Sequence, residues 1–293
     1  MITHISNGTI SASIDSFGAQ LTSLSAHNKE YLWQGNPQWW SGQAPILFPI
    51  VGTLRNDQAH SAAGEVKLGR HGLARRFEHT LLSSDETSAQ YELRSTEETR
   101  KQFPYDFVLR MSYSLIGPTT LEQRYEVENT GTVELPYTVG AHPAFNAPLD
   151  EEETFEDYEL KFARAWSYAS PSLDHESGLL DFDHTWEVLK NADSFSLTHD
   201  PFREHDTIVF QDVPDNVVTL QSKKTSHGVR VSFKGFNYLG VWSEMHDAPF
   251  VAIEPWMGCA TALDEDDMFE HKRGMELLAP GVTARHAFTI ELL

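Results

Sequence analysis

The chain is poor in cysteine, in basic residues and in long apolar runs. Its 293 residues contain one cysteine, Cys259, so no intramolecular disulfide can form. Lysine and arginine number 22 against 43 aspartates and glutamates, a formal net charge of -21. That balance argues against nucleic acid and anionic membrane surfaces as partners, because both attract basic patches. No stretch approaches the ~20 apolar residues that a membrane helix needs. The start, Met1 to Ile10, lacks a basic region followed by an apolar run, so no secretory signal is read there. The expected compartment is the cytoplasm, and the Asn7-Gly8-Thr9 sequon is discounted accordingly. Walker loops, Gly-x-Gly-x-x-Gly before a helix, Gly-x-Ser-x-Gly and metal-ligand spacings are all missing. The reading therefore calls for no nucleotide, cofactor or metal. A small neutral ligand fits the charge best, and a phosphorylated one needs a local island of arginines.

Short β-rich segments follow one another closely. Phe107 to Leu115 and Leu121 to Asn129 alternate apolar with polar residues, the period of a half-buried strand. Similar runs occur at residues 9–14, 20–24, 89–93, 207–210, 216–220, 229–233, 239–243, 250–253 and 285–292. Many short strands with little helix predict a large antiparallel sandwich or barrel. One helix is predicted over Thr96 to Gln102, with Ser95 as N-cap and Glu98 as its capping-box partner. Asp264 is read as the cap of a helical turn reaching Met268. Residues 147–205 open with the acidic run Asp150 to Asp157 and continue irregularly, so they are read as an excursion off the sheet. No linker composition divides the chain, and 1–293 is expected to form a single domain.

Five stretches carry candidate chemistry. In Gly140-Ala141-His142-Pro143-Ala144-Phe145-Asn146 the proline holds His142 extended, so the imidazole is aimed. It is either a core histidine or a group placed for proton transfer near neutrality. Glu254 stands likewise before Pro255 and Trp256. Arg70-His71-Gly72-Leu73-Ala74-Arg75-Arg76 gathers three arginines and a histidine, either a solvated basic loop or an anion site. The apolar run from Pro45, with its two prolines, delivers Arg55 to an edge. Trp39-Trp40 offers surface for core packing, for a lid over the sheet, or for stacking on a sugar face.

Phe48-Pro49-Ile50-Val51-Gly52, His71-Gly72-Leu73-Ala74-Arg75, Gly140 to Phe145, Ile253-Glu254-Pro255-Trp256 and Leu278-Ala279-Pro280-Gly281 stand in order along nearly the whole chain. Together they resemble the aldose 1-epimerase (mutarotase) family, nearest its lactose-operon-associated and hexose-6-phosphate epimerase-like branches. The resemblance implies an all-β fold, a large antiparallel β-supersandwich of the galactose mutarotase type with few short helices. It implies cofactor-free interconversion of the α and β anomers of a free aldohexose. By the same resemblance His142 protonates the ring oxygen, Glu254 takes the anomeric hydroxyl proton, and His71 binds near the ring oxygen. Asp206 matches an aspartate that holds sugar hydroxyls. Arg75, with Arg55 assisting, matches a phosphate contact or forms a structural ion pair. Trp256 stacks on the sugar or supports its neighbours. A carboxylate beside His142 is expected to hold it protonated above the free value of roughly 6.5. A hexose-6-phosphate 1-epimerase, a non-catalytic sugar-binding or regulatory protein, and a glycoside hydrolase using Asp206 with Glu254 stand as alternatives.

Overall fold

A computed structural model describes residues 1–293. Its frame is a nine-stranded antiparallel sheet, in the order Leu180–Ser196, Tyr158–Leu173, Val217–Ser222, Gly228–Ser232, Thr283–Leu292, Thr120–Asn129, Phe107–Leu115, Ser88–Arg94 and Thr80–Ser84. The alternation read in the sequence explains the middle of this sheet. Leu109, Met111, Tyr113, Tyr125 and Val127 point inward and are fully buried. On the outer face Arg110 bonds Glu92, Glu126 and Glu128 across three neighbouring strands. A one-residue slip would bury that ladder of charges and expose the aromatics, so the pairing register is strongly specified.

The second main layer has six strands. Thr207–Gln211, Tyr238–Trp242, Phe250–Trp256, Gly140–Ala141 and Ile46–Leu47 run in that order, and Ala144–Asn146 also pairs with Phe250–Trp256. One core cluster takes Tyr91, Tyr125 and Phe288 from the large sheet with Leu239, Val241, Val251 and Ile253 from the small one. The Tyr125 hydroxyl also donates to the Gly140 carbonyl at 2.7 Å, tying the layers together. Along Phe250–Trp256 the period of two has a functional consequence. Val251 and Ile253 enter that core, whereas Ala252 and Trp256 join separate apolar clusters. Glu254 shares the parity of Ala252 and Trp256, so it stands on the face turned away from the main core. The first 30 residues add a four-stranded sheet, and the hairpin of Gln58–Ser61 with Gly64–Lys67 and the long-range pair of Leu135–Tyr137 with Glu276–Leu278 form two further two-stranded sheets.

Three expectations are corrected. The stretch 147–205 is no irregular excursion: Tyr158–Leu173 and Leu180–Ser196 are the two longest strands of the protein. Only Tyr158 to Phe162 pair with the rest of the sheet, through Val218 to Ser222. Beyond them the two strands pair mainly with each other through four register shifts, and Ala163, Arg164 and Ala165 are all exposed. Alternation fades where neither face is steadily covered. The helix is Glu97–Arg100, shorter than expected and capped one residue later. Thr96 accepts from the Thr99 amide and Thr99 answers with its own hydroxyl, so a Thr–Thr pair replaces Ser95 and Glu98. Asp264 to Met268 is not helical. Arg273 takes Asp264 and Glu265, His271 takes Asp266, and the only nearby helical turn is Phe269–His271.

Candidate active site

The face of the six-stranded sheet turned away from the main core lies under a cavity of about 500 Å³. Glu254 stands in the floor and is 1 % exposed. Gly240 is its partner on the neighbouring strand. A Cβ on Gly240 would lie 2.3 Å from the Trp256 ring, so glycine there lets the indole lie flat across the strand. Trp256 Nε1 donates to Glu254 Oε2 at 3.2 Å. Trp256 is thus a buried donor that holds the carboxylate, and it also lines the cavity.

His142 faces Glu254, with Nε2 3.3 Å from Oε1. The His142 amide donates to the Pro45 carbonyl, and Pro143 follows directly in the chain. The His142 ring stacks on Trp40 at 4.8 Å and 27° and stands nearly perpendicular to Trp242 and His71. The expectation of a raised imidazole pKa is overturned. Burial, then the charges of Arg75 and Arg70, push His142 down to about 3. Burial also holds the Glu254 carboxyl well above the usual carboxylate range, with Asp206 adding to the rise and Trp256, Arg75 and Arg70 opposing it. Desolvation is the largest cause for each group and penalises both charged forms. The opposed shifts favour the neutral pair, with the shared proton on Glu254, and the ion-pair form is reached by one transfer across the 3.3 Å contact.

His71 reaches the cavity from a tight turn. It has φ +67, and Gly72, at φ +74, packs so closely on Phe48 that a Cβ would sit 2.3 Å from its carbonyl oxygen. The His71 amide donates to the Gly52 carbonyl at 2.7 Å, and the Gly52 amide donates to His71 Nδ1 at 3.1 Å. With Nδ1 accepting, the proton of the neutral ring is on Nε2. Burial first, and then His142, Arg75 and Arg70, keep its pKa well below the ordinary value. His71 is thus a neutral hydrogen-bond donor.

Asp206 ends the Asp200–His205 helix with φ +60 and ψ -80, lines the cavity and accepts from the Thr207 hydroxyl. Arg75 lines the wall, with Arg70 and Arg76 beside it. Those two stand in the stretch quoted from the sequence, but nothing there set them apart from Arg75. Every other arginine in the chain is ion-paired to a carboxylate, and these three are not. Arg55 is the exception among the residues expected here. It bonds both Asp267 oxygens at 3.0 Å and the carbonyls of Ala262, Leu263 and Glu265, and it does not line the cavity. Its guanidinium fastens the 262–267 loop. Trp40 and Trp242 were not read as site residues. For Trp242 the signal was available: it lies two residues from Gly240, on the same face of its strand.

Residues 1–291 match the family described as Aldose 1-epimerase. The plasmid-borne protein LacX of Lactococcus lactis subsp. lactis is 37% identical over 300 residues, with 100% of each chain covered. A putative glucose-6-phosphate 1-epimerase of Escherichia coli (strain K12) is 30% identical over 145 residues, 45% of this chain and 46% of that one. A galactose mutarotase related enzyme from Lactobacillus acidophilus superposes with a TM-score of 0.94 at 31% identity, over 100% of this chain and 97% of its own. The chain belongs to the aldose 1-epimerase family.

Proposed function

We propose that this protein interconverts the α and β anomers of a free aldohexose, with Glu254 as base and His142 as acid. The observation that carries the reading is the 3.3 Å approach of His142 Nε2 to Glu254 Oε1 in the floor of a sugar-sized cavity. The anomeric hydroxyl and the ring oxygen are bonded to the same carbon, so the groups that serve them have to be neighbours. In the ion-pair form, Glu254 removes the proton from the anomeric hydroxyl as the C1–ring-oxygen bond breaks. His142 gives its proton to the ring oxygen. The product is the open-chain aldehyde facing a neutral pair. Rotation about C1–C2 presents the other face, and closure runs both transfers in reverse. No proton is gained or lost over the cycle. His71 Nε2–H is assigned to the ring oxygen, Asp206 to sugar hydroxyls, and Trp256 to the support of Glu254.

The test is polarimetry of freshly dissolved α-glucose and α-galactose with catalytic protein. Faster decay of rotation is expected. No acceleration with any free aldose or its 6-phosphate would remove the enzymatic reading and leave a sugar-binding protein. A glycoside hydrolase works with two carboxylates ~5–9.5 Å apart and gives no part to the His142–Glu254 contact, which epimerisation uses directly.

A second reading, hexose-6-phosphate epimerisation, is favoured by one observation. Arg70, Arg75 and Arg76 carry guanidinium groups with no carboxylate partner in a chain of net charge -21, and all line the cavity. Unpaired guanidinium forks suit a phosphate. Arg75→Gln is expected to raise KM for glucose 6-phosphate at least about tenfold, the order of one lost charged hydrogen bond. The KM for glucose should move far less. Equal effects would remove the phosphate role. The chain is taken as one unit, 1–293, and a cytoplasmic location goes with this reading, since a buried free cysteine suits a reducing compartment.

A further inference from the structure

The Trp39-Trp40 pair has no role in the chemistry above, yet its second ring touches the proposed acid. His142 Nδ1 is buried and has no hydrogen-bond partner. A histidine that works as an acid is ordinarily oriented through that nitrogen by a carbonyl or a carboxylate. Here the neighbours are aromatic. Trp40 lies face to face with the imidazole at 4.8 Å, and Trp242 crosses it at 5.6 Å and 75°.

The Trp40 ring is held from behind. A Cβ on Gly42 would come within 2.4 Å of the six-membered ring of Trp40, so only glycine leaves room for this placement. Trp33 Nε1 donates to the Trp40 carbonyl at 2.8 Å, and Trp39 Nε1 donates to the His246 carbonyl at 2.9 Å. Trp33 and Trp39 thus secure a loop that sets the Trp40 indole face against the His142 imidazole face. The charged groups around His142 do little to favour its cationic form. Arg70 and Arg75 oppose it, His71 is neutral, and Glu254 retains the proton of the empty pair. Asp206 and Glu244 line the same cavity.

We infer that Trp40 is a positioning residue for His142: its indole face fixes the ring plane and favours the imidazolium through a cation–π contact, in place of the absent Nδ1 partner. A tryptophan face is the strongest aromatic partner for a cation, and the contact gains strength where water is excluded. The inference rests on His142 being the acid. It assigns Trp40 to the acid and not to the sugar, and the two assignments separate in kinetics.

The experiment is steady-state mutarotation of glucose by wild type, Trp40→Leu and Trp40→Phe, with ¹⁵N spectra of the His142 ring in the sugar complex. Trp40→Leu is expected to lower kcat about tenfold, one desolvated cation–π contact, with KM changed less than about twofold. Trp40→Phe should recover most of the loss. The His142 nitrogens should shift toward neutral imidazole in the leucine variant and much less in the phenylalanine one. A raised KM at unchanged kcat would make Trp40 a sugar platform and overturn the inference. So would a Trp40→Phe as slow as Trp40→Leu. If Trp40→Leu does not fold, Trp40→Phe and Trp40→His replace it, with the larger loss expected for histidine. Wild type inactive on every aldose would instead defeat the reading that His142 and Glu254 are catalytic.

Discussion

Replacing Glu254 by glutamine separates catalysis from folding with two signs. The side chains have nearly the same shape, and the amide oxygen can still accept from Trp256 Nε1. The base is lost. Acid–base assistance is worth roughly 10²–10⁴-fold, which is ~3–5 kcal/mol of transition-state stabilisation. Stability should move the other way. Glu254 is fully buried and its folded pKa is raised. A carboxyl with a raised folded pKa binds more protons folded than unfolded, so its contribution falls as pH rises from about 4.3 toward the folded value. His142, lowered to about 3, has the opposite slope, but only up to about pH 6.5, above which it is neutral in both states. At pH 8 His142 is neutral in both states, so the cost of ionising buried Glu254 is the one that remains in wild type, and glutamine removes it. Thermal unfolding at pH 5 and pH 8, with polarimetry at pH 7.5, reads both effects. Glu254→Gln should lose at least about a hundredfold in kcat and be as stable as wild type or more so, with the stability gap wider at pH 8. Turnover within tenfold of wild type would show that another group is the base. A variant that is inactive and also less stable at pH 8 would show that the carboxylate is charged in the folded protein and is held by a structural ion pair.

Two further predictions follow from the same geometry. The kcat profile should show no acid-side loss near pH 6.5, since His142 is lowered to about 3 and the pair keeps its one proton up to the raised value of Glu254. Activity should fall only as that last proton leaves on the alkaline side, and these limits belong to the pair, not to either residue. An acid-side loss of activity centred on the free imidazole value would refute the shared-proton description. Arg55→Gln should lower stability by about 1–3 kcal/mol, because it removes a charged fork holding Asp267 and three carbonyls. It should leave KM for free and phosphorylated glucose unchanged, and a phosphate-specific rise in KM would return Arg55 to the site.

The sequence was most legible where one face of a strand is buried and the other meets water. Phe107 to Asn129 reads directly, because Met111 and Tyr113 go inward while Arg110 meets Glu126 outside. The Tyr158–Ser196 hairpin escaped because most of its length has no third strand beside it, so no persistent burial difference marks its two faces. Proline made His142 and Glu254 stand out, and both lie in the cavity floor or wall. Arg55 and Arg75 looked alike in sequence, as basic residues after apolar stretches. What separates them is the company of Asp267, 212 residues away, and no local pattern encodes that. Trp40 was ambiguous for the same reason: its partner His142 arrives from another strand.

The ionisation of His142 gave the least to local reasoning. Pairing with Glu254 predicted a raised pKa, and the pair was found, but the shift has the opposite sign. Proximity gives attraction, whereas burial sets the cost of each charge, and burial depends on everything that surrounds the pair. For an epimerase this inversion is useful. A permanent Glu254–imidazolium pair would be satisfied by itself and slow to exchange protons with a sugar. A neutral pair with one movable proton can pass into its charged form by a single transfer across the 3.3 Å contact, and the sugar oxygens need both forms in turn. The same cavity that lowers the imidazole pKa therefore leaves a need for something that favours the cation only when it forms. An aromatic face meets that need without contributing a charge of its own, and in this protein the face against His142 is that of Trp40.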